Sequence, residues 1–239
     1  MQPKTFWLIC LAAGPAVAAG QLLAWLYAPE EAIMGLTQKI LYCHVPLAWW
    51  SLAAFLLAAG AGGMYLRTRR LFWDNLSLAA VESGLVFAGL TLVTGMIWAR
   101  QAWGVWWTGD PRLVSFLVLW FMYAGCLVLR GSGSEDNAER DRKASASAVF
   151  SLIACVNVPL VFLSARLLRS AHPAVLGKGG GLEPEMLATL LVNLAAMGLV
   201  WLALLLLRLR LAELRDRCAQ AEYARLNAPA QTTRRSVAS

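Results

Sequence analysis

The stretch Trp103-Gly104-Val105-Trp106-Trp107-Thr108-Gly109-Asp110-Pro111-Arg112 interrupts an otherwise apolar sequence, and what flanks it settles the architecture. Upstream, residues 76–98 form a run whose one charge is Glu82; downstream, residues 112–129 form a second. Each approaches the roughly 20 residues with which a helix crosses the hydrocarbon core of a bilayer. Four more such runs occupy about 6–28, 40–66, 146–168 and 185–207. Nothing alternates with the short period of a membrane barrel. The chain therefore reads as an all-α integral membrane protein. Its expected fold is a six-transmembrane helix bundle over residues 1–210, with a tail at 211–239. With 59% hydrophobic and 15% charged residues, the composition is far from that of a soluble domain.

Local signals set expectations along the chain. The first run follows only Lys4, and Ala16-Val17-Ala18-Ala19 resembles a signal-peptide cleavage site. The run continues through Leu22, Leu23, Trp25 and Leu26, which favours a retained helix. Pro46 is tolerated in the opening turns of the second span, where backbone N–H groups lack helical partners. Asp74 or Asn75 suits the cap of the third span, and Asp110-Pro111 reads as N-cap and first residue of the fourth. Residues 130–145 read as a flexible charged loop. Asn157 and Pro159 predict a kink and a buried interhelical hydrogen bond in the fifth span. Glu185 fits the positive N-terminal end of the sixth, and from Arg208 a helical extension gives way to a disordered polar tail. The five cysteines form no CxxC pair, so free thiols are expected.

Six spans put the N-terminus, the 67–75 loop, the 130–145 loop and the tail on one side. That side holds most of the 21 Lys and Arg residues, which makes it cytoplasmic by the positive-inside rule. The net charge of +7 is thus an orientation signal, not a nucleic-acid footprint. His44, the Trp-rich segment 98–113 and His172 fall together on the opposite face.

At helical spacing Trp103, Trp106, Trp107 and Asp110 stand at i, i+3, i+4 and i+7, so a short helix presents three indoles and a carboxylate on one face. Gly104, Gly109 and Pro111 oppose a longer helix. An aromatic belt scatters its tryptophans along the membrane interface. Here they crowd beside Arg100, Arg112 and Asp110, as a platform for a flat aromatic ligand does. Asp110 is compatible with both a capping and a ligand-facing role. His44 and His172 are the chain's 2 histidines. One histidine near a helix end most often packs or hydrogen-bonds; two flanking a tryptophan platform suit the opposite axial positions of one haem iron. Arg100 and Arg112 are available to haem propionates, whereas Arg166 and Arg169 read better as snorkelling boundary residues. Glu82, near the cytoplasmic end, reads as structural, solvated or paired with a loop arginine. The sequence carries no phosphate-binding GxxxxGK[ST] loop, catalytic triad or paired carboxylates, so a non-enzymatic role is expected.

Five pieces carry a family resemblance: Lys39-Ile40-Leu41-Tyr42-Cys43-His44-Val45-Pro46, Leu92-Val93-Thr94-Gly95, Trp103-Gly104-Val105-Trp106-Trp107, Asp110-Pro111-Arg112-Leu113 and Val156-Asn157-Val158-Pro159. Over about residues 36–210 the chain resembles the heme exporter protein C (CcmC) family of cytochrome c maturation. The resemblance implies haem b bound at the periplasmic face of the bacterial inner membrane, on a tryptophan-rich WWD segment. It assigns Trp103, Gly104, Trp106, Trp107 and Asp110 to that segment, and His44 and His172 to the iron as axial ligands. It also implies an ABC-type system of ATPase, membrane subunit and small single-span protein. A periplasmic haem chaperone receives the haem. Gly109 stands where the family pattern usually has a tryptophan, which makes the platform smaller or more flexible. The competing readings are a b-type cytochrome for electron transfer and a permease for another amphipathic molecule; an eight-span haem lyase needs a longer chain.

Overall fold

Residues 3–32, 34–131, 137–167 and 182–226 are described by the structure, a computed structural model. It is built from α1 (Pro3–Leu22), α2 (Leu41–Thr68), α3 (Leu71–Trp103), α4 (Pro111–Arg130), α5 (Asn137–Cys155), α6 (Asn157–Leu167) and α7 (Pro184–Leu226). A π turn (Leu23–Tyr27) extends α1, and a 3-10 turn (Leu36–Ile40) leads into α2. Helices α5 and α6 together make one span, so among the described residues six segments are long and apolar enough to cross a membrane. All six expected spans are present.

Lipid provides no hydrophobic drive for one helix to meet another, so close packing and interhelical hydrogen bonds must hold the bundle. Helices α2 and α3 form its centre through small residues. A Cβ at Gly84 would stand 2.9 Å from both Ala54 Cβ and Phe55 Cε1. The Ser77 hydroxyl donates to the Ala58 carbonyl at 2.9 Å. Tyr123 of α4 stacks on Phe55, with ring centroids 4.0 Å apart, and its hydroxyl bridges the carbonyls of Phe55 (3.0 Å) and Ser151 (3.2 Å). Trp50 of α2 stacks on Trp201 of α7 at 5.1 Å and donates to the Leu194 carbonyl at 2.8 Å. Gly198 makes room for that indole, since a Cβ there would lie 2.5 Å from Trp50 Cζ2.

Helix α1 is peripheral and joins α7 through Asn193, whose amide donates to the Gly20 carbonyl and accepts from Gln21, each at 2.9 Å. The π turn that follows opens backbone carbonyls, and the Lys39 ammonium gathers those of Ala24 (2.9 Å), Trp25 (3.3 Å) and Ala28 (3.4 Å). A cation there also complements the negative end of the helix dipole.

Several local expectations change. Arg70 is the N-cap of α3 and makes no side-chain cap bond, so neither Asp74 nor Asn75 caps it. Asp74 is instead buried in the first turn and paired with Arg130 at the end of α4, Nη1 to Oδ1 at 2.7 Å. Asn75 donates to Asp216 of α7 at 2.7 Å. Much of the charged loop expected at 130–145 is helix, because its charges have partners. Glu139 and Lys143 pair one turn apart at 2.7 Å, Arg140 meets Asp216 at 2.7 Å, and the Tyr65 hydroxyl donates to Asp141 at 2.5 Å. Residues 132–136 lie outside the described residues. Pro46 sits beyond the first turn of α2 and not within it.

The fifth span breaks at Val156, as Asn157 and Pro159 predict. Pro159 falls in the first turn of α6, where its missing N–H costs no helical bond. The Asn157 amide donates to the Ser115 carbonyl of α4 at 2.9 Å, the expected interhelical bond. Glu185 lies in the first turn of α7, and that helix continues unbroken past Arg208 to Leu226. Residues 227–239, expected to be disordered, lie outside the described residues. Glu82 meets Arg208 of α7, at 3.5 Å, not a loop arginine. All five cysteines fall within the described residues and are free thiols.

The Arg130–Asp74 pair is nearly enclosed, with side chains 14% and 5% exposed. Breaking such a pair from one side strands a desolvated charge and costs about 3–5 kcal/mol, whereas replacing both groups by apolar ones is often close to neutral. Arg130→Met is therefore expected to lower stability by about that amount, and Asp74→Leu with Arg130→Met to recover most of it. Equilibrium unfolding in mixed micelles checks both.

Candidate functional site

The site begins where α3 stops. Gly104 takes the left-handed conformation at φ 76°, and its N–H closes on the Arg100 carbonyl, ending the helix at Trp103. The Arg100 guanidinium donates to the Gly104 carbonyl and pins the turn from its other side. From Gly104 to Asp110 the chain is not helical. The short helix expected from the spacing of Trp103, Trp106, Trp107 and Asp110 is thus not formed. Gly104 diverts the backbone at its first residue, and Asp110-Pro111 begins a new helix at its last. Trp103 stays on α3 and meets Trp98 edge to face, with centroids 5.1 Å apart. Trp106 and Trp107 stand on the connecting loop and are 56% and 36% exposed, beside the exposed Val105.

Asp110 is buried and caps α4: its carboxylate accepts from the Arg112 N–H at 2.9 Å, with Pro111 as the first helical residue. The capping role is therefore realised. Thr108, between the exposed indoles and this cap, has a buried hydroxyl with no hydrogen-bond partner among the described residues.

His44 lies in the first turns of α2, directly against the last third of α3. Its Nδ1 is 2.9 Å from the Thr94 hydroxyl. Gly95 lets the ring approach, since a Cβ there would stand 3.1 Å from His44 Cε1. Trp98 follows Thr94 by one turn on the same helix. The structure thus gathers His44, Trp98, Arg100, Trp103 and the loop of Trp106 and Trp107 at one end of the bundle.

His172 lies outside the described residues, as do Arg169 and the glycine-rich residues 177–181. The described chain on either side of 168–181 meets α2 at turns on either side of His44, and α4 as well. Before it, Phe162 meets Trp49 at 6.1 Å and Ser164 approaches Ser115 at 3.3 Å. After it, Leu182 packs against the cluster that contains Leu41 and Tyr42. Sequence reasoning gave no role to Thr94 or Gly95. The only signal was their presence in a family-like tetrapeptide, because helical spacing says nothing about what a neighbouring helix places opposite.

Fold and site together define a class: a six-span helical membrane protein with a histidine and exposed indoles gathered at one end of its bundle. A family model described as heme exporter protein C, CcmC, matches residues 1–224. The chain is 34% identical over 193 residues to the heme exporter protein C of Bradyrhizobium diazoefficiens, an alignment spanning 80% of this chain and 72% of that protein. It is 31% identical over 207 residues to the heme exporter protein C of Escherichia coli strain K12, spanning 85% and 81%. A putative cytochrome c biosynthesis ccmC-like mitochondrial protein of Marchantia polymorpha is 31% identical over 151 residues, spanning 63% and 61%. The chain belongs to the heme exporter protein C family.

The observed cap gives a direct prediction. Asp110→Ala removes the acceptor and is expected to cost about 1 kcal/mol, while Asp110→Asn keeps a capping oxygen and costs little. Thermal unfolding in detergent distinguishes the two variants.

Proposed function

We propose that this chain binds haem b at the periplasmic face of the inner membrane and presents it to a periplasmic haem chaperone during cytochrome c maturation. The observation that carries this reading is the placement of His44. It sits against Thr94 and Gly95, one turn from Trp98, at the end of the bundle where the exposed indoles of Trp106 and Trp107 also stand.

The residues present fit the group. Exposed Trp106 and Trp107 offer apolar faces to a macrocycle, and the buried Thr108 hydroxyl has no partner among the described residues and suits a polar edge. Arg112 and Arg100 border the segment and bring positive charge toward propionates; Arg100 also holds the Gly104 turn. Trp103 and Gly104 shape the start of the loop, and Asp110 anchors its end as the α4 cap. His44 and His172 would hold the haem through neutral imidazole nitrogens, and the haem would supply the iron they bind.

The work of this chain is to hold, orient and release. Release requires an edge open to the periplasm or lipid, and exposed indoles on a loop provide one where a closed pocket does not. The chain acts as a transport and maturation component, not an enzyme. Its partners are an ABC-type ATPase and membrane subunit, a small single-span protein, the chaperone and the bilayer, with no nucleic acid. The opposite, arginine-rich end of the bundle is cytoplasmic, as are both termini.

The test is an absorption spectrum of the purified protein, oxidised and reduced. A low-spin haem spectrum is expected, with altered ligation in His44→Ala and in His172→Ala. Trp106→Ala and Trp107→Ala are each expected to weaken haem retention roughly 2- to 10-fold, the loss of about 0.5–1.5 kcal/mol of ring contact. Wild-type protein that remains haem-free when haem is supplied during expression contradicts the proposal.

A further inference from the structure

We infer that Thr94 is a positioning residue that fixes His44 in the tautomer with its proton on Nδ1 and its lone pair on Nε2. A threonine hydroxyl has one hydrogen to donate and lone pairs to accept with. The Thr94 oxygen lies 2.8 Å from the Leu90 carbonyl and 3.1 Å from the Thr91 carbonyl. Both carbonyls only accept, so the single hydrogen is directed back into α3. What the oxygen turns toward His44 Nδ1, 2.9 Å away, is a lone pair. A neutral imidazole satisfies it by donating Nδ1–H, which leaves the Nε2 lone pair as the metal-ligating one. Gly95 completes the socket: the ring edge occupies the space a Cβ would take, 3.1 Å from Cε1 and 3.7 Å from Nδ1.

The inference deepens the haem-binding reading and rests on it for its purpose, though not for the tautomer itself. The partner of the second ring nitrogen sets the orientation and basicity of a metal-ligating histidine. A carboxylate in that position adds negative charge and strengthens the ligand; a hydroxyl already engaged with its own helix orients the ring without adding charge. Such a histidine is held in place yet remains exchangeable, which is what a protein that must surrender its haem requires.

The experiment uses the full-length protein labelled with 15N-histidine, where the chain's 2 histidines give resolvable ring signals assigned by His44→Ala. In the haem-free protein His44 is expected to show a protonated Nδ1 and an unprotonated Nε2. Thr94→Val, close in shape but without an acceptor, is expected to mix or reverse that pattern, and Thr94→Ser to restore it. In the haem-loaded protein Thr94→Val is expected to speed haem loss by about 10- to 100-fold, the usual effect of removing such a partner, with Thr94→Ser close to wild type. A Thr94→Val protein that keeps the wild-type tautomer overturns the inference. If the tautomer responds to Thr94 while His44→Ala retains the wild-type haem spectrum, the inference about Thr94 stands and the axial-ligand reading of His44 falls.

Discussion

Helices α2 and α3 touch closely along their length, and the other helices take their places from that contact. Gly84 lies against Ala54 and Phe55, and Ala58 receives the Ser77 hydroxyl, so the two backbones approach at separations larger side chains forbid. Phe55 then offers its face and its carbonyl to Tyr123, which brings in α4 and, through Ser151, α5. Trp50, on the other side of α2, brings in α7. The same approach continued to the end of the pair seats the His44 imidazole on Gly95 and against Thr94. The candidate site is thus the last layer of the packing that builds the bundle.

The two ends of the bundle are built by opposite means. One is tied by charge: Asp74 with Arg130, Asp216 with Arg140 and Asn75, and Asp141 with Tyr65 and Arg69 connect α2, α3, α4, α5 and α7. The enclosed Asp74–Arg130 pair contributes little net stability relative to apolar packing, but a single missing partner there is costly, so it favours one arrangement of α3 and α4. The other end carries His44, a cluster of indoles and a turn held by backbone bonds. There the chain leaves aromatic surface exposed.

What the sequence disclosed depended on whether the signal lay within one element or between two. Apolar length alone located six spans, and Asn157 with Pro159 located the break between α5 and α6, because a missing N–H and a polar side chain in lipid have local consequences. Asp110-Pro111 revealed the start of α4 for the same reason. The spacing of Trp103, Trp106, Trp107 and Asp110 misled, because periodicity states which residues share a face if a helix exists; Gly104 decides that none does. The charged residues near Glu139 read as loop since their partners, Asp216 and Tyr65, are distant in sequence. The same holds for Thr94 and Gly95, whose meaning appears only when α2 lies opposite.

The central claim is that a histidine seated on α3 ligates haem iron beside the tryptophan loop. It is tested most directly by pulsed electron paramagnetic resonance of the ferric, haem-loaded protein carrying 15N-histidine, which detects the ligating nitrogens through their coupling to the iron spin. The account predicts coupling to two imidazole nitrogens in the wild type, of which only that of His44 persists in His172→Ala. Bound haem whose iron couples to no histidine nitrogen would contradict it.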